Sequence, residues 1–88
     1  MGKLEKTVHG DFENVIKNLE EKVCSGKNAF TRGEVYSTTL EETKIEMRSY
    51  ERYNLVHRFG IGVSVLFIES GDDKVDITVM VPVLIMEF

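Results

Sequence analysis

The residues best equipped for chemistry fall close together: Arg48, Tyr50, Arg52, Tyr53, His57 and Arg58. If residues 44–53 form a strand, Glu46, Arg48, Tyr50 and Arg52 point the same way, about 6.6–7 Å apart along it. Two guanidinium groups flanking a phenol can hold a carboxylate or phosphate bidentately, or stack on a base. The plainer account is a solvated face on which Glu46, Glu51 and neighbouring strand acids pair with the arginines. A small anionic ligand, if the chain takes one, is expected at Arg48, Tyr50 and Arg52.

Other chemical signals are weaker. Cys24 is the only cysteine, so an intrachain disulfide and a cysteine zinc cage are both excluded. It stands near the end of a predicted helix, where the dipole's negative end disfavours a thiolate. A structural thiol is the expectation, and an enzyme using Cys24, His9 or His57 is the remote alternative. The two histidines lack the spacing with other ligands that a metal site needs, so no metal and no cofactor is expected. Gly60-Ile61-Gly62 lacks the third glycine and the Lys-Ser/Thr of a phosphate loop. In a strand, such glycines mark a bulge or a close backbone approach. Asp72, Asp73 and Asp76 lack the calcium-loop pattern, and Gly-Asp-Asp suits a solvated turn.

The elements that must position these groups follow from periodicity. Residues 3–9 alternate as a short strand, and Gly10 breaks the run. Phe12, Val15, Ile16, Leu19 and Val23 then form one helical stripe, with Asp11 as N-cap and Ser25-Gly26 as the stop. A helix over about 12–25 is expected, then a loop over 28–33. Strands follow at 34–40, 44–53, 60–69 and 74–81, with turns at Glu41-Glu42-Thr43 and Ser70-Gly71-Asp72-Asp73. Pro82 removes a ladder donor and implies an edge or a bulge. The fold class is therefore α+β: a short N-terminal strand and one amphipathic helix on a four- to five-stranded antiparallel meander. The 88 residues fit one domain, 1–88.

Charge and composition narrow the partners. The net charge of −4 resides in residues 59–88, where Lys74 faces five acids. Clustered lysine and arginine are what a phosphate backbone needs, so nucleic acid is not an expected partner. The opening residues lead to no apolar signal region, and the apolar run 79–86 is too short to span a bilayer. With one unpaired cysteine, these features predict a cytoplasmic protein.

A single helix shields one face of four strands. The other face would carry Leu66, Ile68 and Met80, and the chain closes on Val83, Leu84, Ile85, Met86 and Phe88. Exposed apolar strands invite pairing. A homodimer or higher assembly is predicted through Leu66, Ile68, Val83, Leu84, Ile85, Met86 and Phe88, which makes a non-enzymatic binding or assembly module the leading reading. The alternative is a tail folded back over its own sheet.

Two segments, Val8-His-Gly-Asp-Phe12 and Ser49-Tyr-Glu-Arg-Tyr53, resemble a family of small uncharacterised bacterial proteins. That family has a Gly-Asp-Phe helix start and a central Tyr-Glu-Arg-Tyr stretch. The resemblance implies no activity, cofactor or catalytic residue.

Overall fold

The chain runs β1 (Gly2–His9), α1 (Phe12–Val23), β2 (Thr31–Leu40), β3 (Thr43–Asn54), β4 (Phe59–Gly71) and β5 (Lys74–Met86). The computed structural model describes residues 2–27, 29–54 and 59–86, the side chains of 2, 54, 59 and 81–86 excepted. The five strands form one antiparallel sheet in the order β1-β5-β4-β3-β2. Strands β2 to β5 are a meander. The expected α+β architecture is the observed one, and β1 completes it by pairing with β5 from Gly2↔Val81 to His9↔Lys74.

The helix begins where the sequence places it. Asp11 is the N-cap, and its Oδ2 accepts the Asn14 amide at 3.2 Å. Gly10 makes the sharp approach at φ +153°, donating its N–H to the Asp73 carbonyl at 2.8 Å. A Cβ there would sit 3.1 Å from Val15 Cγ2, so glycine suits both the dihedral and the space. Cys24 closes the helix, its N–H bonding to the Glu20 carbonyl.

The core lies between α1 and strands β3, β4 and β5. Phe12 and Ile16 meet Tyr50, Val65, Phe67, Val75 and Ile77, with Val8, Leu19, Phe30 and Val79 half-buried around them. Strand parity is responsible: Val65 pairs with Val79 and Phe67 with Ile77, which places all four on the helix side. The twelve-residue helix is about 18 Å long, whereas β4 with 13 residues extends over about 43 Å. Cover is therefore incomplete even on the helix side, and every residue of β2 is exposed.

Of three register shifts, one leaves Ser70 unpaired beside the β4–β5 turn, and the other two decide how far β2 and β5 run. Strand β2 starts at Thr31, inside the expected loop, because Gly33-Glu34 form a bulge opposite Ser49. The Glu34 N–H donates to Ser49 Oγ at 2.7 Å, and a Cβ on Gly33 would lie at that same distance from it. Strand β5 runs past Pro82 because Val81 and Pro82 together oppose the single residue Val63. The missing N–H thus falls in a bulge, just beyond the last β1 pair. Glycines 60 and 62 are strand residues: Gly62 flanks that bulge, and the Tyr53 ring lies against Gly60, where a Cβ would come within 2.7 Å of it. Among the described residues, no helix is long and apolar enough to cross a membrane.

Candidate functional site

Two regions bear on function, one on each side of the sheet. On the helix side, cross-strand pairing builds the row Ser37–Glu46–Phe67–Ile77–Lys6 and beside it Val35–Arg48–Val65–Val79–Leu4. Arg48 thus emerges at the edge of the core, next to Tyr50. Glu20 descends from the helix to meet both: it accepts Arg48 Nη1 at 2.8 Å and the Tyr50 hydroxyl at 3.2 Å. Arg32 adds a third contact to Glu20 at 3.6 Å, and Arg48 Nε also donates to Glu46. Ser37 donates to Glu46 at 2.8 Å, so the network reaches the edge strand.

The electrostatics follow from this packing. Burial alone would lower the Arg48 pKa, but hydrogen bonds and attraction from Glu46 and Glu20 outweigh it and hold the guanidinium charged. Tyr50 is fully enclosed. Desolvation first, and the Glu20 carboxylate second, push its phenol up to about 12. Tyr50 is therefore a neutral donor at physiological pH. The remaining member of the predicted triad, Arg52, lies over the Phe30 ring at 5.6 Å, a cation–π contact.

The three residues singled out in the sequence thus share a face, but each is engaged. Glu46 is the strand acid that meets an arginine, Arg48. Glu51 belongs to the opposite face by parity, paired with Thr31 and Gly62. The acid that sequence reasoning missed is Glu20. Its signal was present: it lies four residues after Ile16, on the border of the apolar stripe. A cleft of about 440 Å³ borders the network, lined by Glu13, Lys17, Glu20, Arg32, Glu46 and Arg48 among others.

Elsewhere, chemistry is sparse. His9 ends β1, exposed, and Cys24 is a half-buried cap packed on the core. His57 and Arg58 lie outside the described residues. No group of His, Cys, Asp or Glu among the described residues is arranged to hold a metal. The two hairpin turns bring Glu41, Glu42, Glu69, Asp72 and Asp73 to one end of the sheet.

The second region is the sheet face that α1 leaves bare. Its rows read Thr38–Ile45–Ile68–Asp76–Thr7 and Tyr36–Met47–Leu66–Thr78–Glu5. In these two rows the half on β2, β3 and β4 is apolar but for Thr38, and the apolar stretch ends at the next pair, Ser49–Ser64. The half on β5 and β1 is polar, with Thr7 donating to Asp76 at 2.7 Å and Lys3 paired with Glu5. Tyr36 and Leu40 are each 64% exposed and Met47 39%, while Leu66, Ile68 and Met80 are half-buried. Of the predicted contact residues, the side chains of Val83, Leu84, Ile85 and Met86 fall outside the description, and Phe88 lies outside it altogether. Their backbone up to Met86 pairs with β4, Leu84 opposite Ile61 and Ile85 opposite Gly60.

The profile of a family of unknown function, DUF6054, matches residues 1–81, which span both quoted motifs. The chain belongs to that family. Comparison with curated proteins and with solved structures found no match. The resemblance drawn from the two motifs therefore holds, and both have structural work here: Gly10, Asp11 and Phe12 start the helix, and Tyr50 anchors the core.

Proposed function

We propose that this DUF6054 protein acts by assembly and not by catalysis, two copies meeting on the sheet faces that α1 leaves bare. The observation that carries the reading is the pair of cross-strand rows Tyr36–Met47–Leu66 and Thr38–Ile45–Ile68, apolar but for one threonine. The polar half, with Glu5, Thr7 and Asp76, lies along one side of this patch as a rim. An apolar centre with a polar border is the anatomy of protein–protein interfaces. A monomer would leave that centre in water, against the hydrophobic effect. The same proposed contact takes in Val83 and Ile85, paired through their backbone with Gly62 and Gly60 of this face, whereas the register sets Leu84, paired with Ile61, on the other face. A lone thiol and the family resemblance suggest that this happens in the bacterial cytoplasm.

Leu66→Glu and Met47→Glu test the proposal. Each places a carboxylate at the centre of a twofold contact, so each should give single chains in sedimentation velocity with the circular dichroism of the fold retained. Assemblies that survive both substitutions would overturn it.

A second reading keeps Arg48, Tyr50 and Arg52 as a site for a small anion. It is favoured, for Arg48 alone of the three, by the 440 Å³ cleft, where Lys17 and Arg32 stand beside Arg48 and which neither Tyr50 nor Arg52 lines. The ligand would have to displace Glu20 from Arg48. A thermal-shift panel of anionic metabolites, repeated on Arg32→Ala in the cleft, distinguishes this reading: stabilisation lost in the variant supports it, and no stabilisation by any anion removes it.

A further inference from the structure

A groove of about 560 Å³ runs between α1 and the β1–β5 edge, on the opposite side of the sheet from the proposed contact. It exists because the core draws the helix over β3, β4 and β5, leaving β1 with only Val8 packed against the core. Its volume is in the range of small-molecule pockets.

The floor is apolar. Val15 and Leu19 line it from the helix, and Val8, Ile77 and Val79 from the sheet. Leu4 also faces it and is 65% exposed, the highest exposure of any large apolar side chain described. The helix presents Asn14, Asn18 and Lys22 along the rim, one residue per turn. Lys6 stands on β1 between Leu4 and Val8, on the same side by parity.

Charge is what selects an occupant. Lys6 and Lys22 are exposed, and among the described residues neither has an ion-pair partner. The one lining carboxylate, Asp11, is already engaged in capping the helix. The groove thus combines an apolar trough with two free ammonium groups and two side-chain amides. We infer that it binds an amphipathic carboxylate, an unbranched or aromatic apolar body lying on Val15, Leu19 and Val79 with its carboxylate held by Lys6 and Lys22. Each ammonium offers three donors to the carboxylate, and charge-assisted bonds of this kind are the strong ones.

Calorimetric titration with decanoate, below its micelle concentration, tests this. The expected result is one decanoate per chain, with affinity about tenfold weaker in the Lys6→Gln/Lys22→Gln double variant and for decanol in place of decanoate. Unsaturable heat, no heat, or equal binding of decanol would overturn the inference. So would binding that survives the double lysine variant and is lost in Leu66→Glu, because the ligand would then sit on the bare sheet face.

Discussion

Replacing Glu20 by alanine should cut the side-chain polar tie between helix and sheet seen among the described residues. Two hydrogen bonds go at once, from Arg48 Nη1 at 2.8 Å and the Tyr50 hydroxyl at 3.2 Å, together with the looser, more exposed Arg32 ion pair at 3.6 Å. A hydrogen bond to a charged group is worth about 1.5–3 kcal/mol, and a stranded buried hydroxyl costs about 1–3 kcal/mol. These do not simply add. Arg48 keeps Glu46, and the Glu20 side chain is 23% exposed, so water replaces part of the loss. The net destabilisation expected is about 2–3 kcal/mol, or a fall in Tm of about 10–20 °C for a domain of this size. Urea unfolding followed by circular dichroism at fixed protein concentration reads it as a lower midpoint with an unchanged slope. Tyr50→Phe added to Glu20→Ala should cost little further, because it removes the stranded hydroxyl, giving a coupling of about 1 kcal/mol in the double-mutant cycle. A loss below about 0.5 kcal/mol for Glu20→Ala, or strictly additive variants, would refute the network as described.

Further predictions concern pH, turns and capping. The Tyr50 phenol is raised from 10.0 to about 12 in the folded chain, so its neutral form is favoured by folding. That contribution is complete below pH 10 and vanishes as pH rises from 10 to 12. It amounts to at most about 2.7 kcal/mol, and Tyr50→Phe should lack this share of the alkaline slope in unfolding titrations. Glu41 and Glu42 both adopt positive φ, 49° and 70°, a turn that suits Asn-Gly. Glu41→Asn/Glu42→Gly should therefore raise stability by about 1 kcal/mol in thermal unfolding. Asp11→Ala removes the bond to the Asn14 amide and should lower stability by about 1 kcal/mol by the same measurement.

The helix and the meander were legible in the sequence because each rests on local periodicity. Asp11, the stripe from Phe12 to Val23 and the alternation Val75, Ile77 name their elements directly. Pro82 likewise announced an irregularity, and the Val81–Pro82 bulge is that irregularity. The pairing of β1 with β5 was not legible, since nothing local to residues 2–9 says which edge they join. The strand bounds also missed the start of β2, because the Gly33-Glu34 bulge depends on Ser49 in the next strand. At the polar site, parity correctly grouped Arg48, Tyr50 and Arg52. It could not identify their partner, because Glu20 arrives from the helix and only tertiary packing brings it within reach. Arg52 resting on Phe30 has the same origin: a residue between helix and sheet meets a strand 22 positions later.

The mass of the intact chain in solution bears most directly on the account. A protomer of 10.1 kDa is expected to elute with light scattering at twice that mass across micromolar concentrations. A steady single-chain mass over the same range, with residues 82–88 in place, would contradict it.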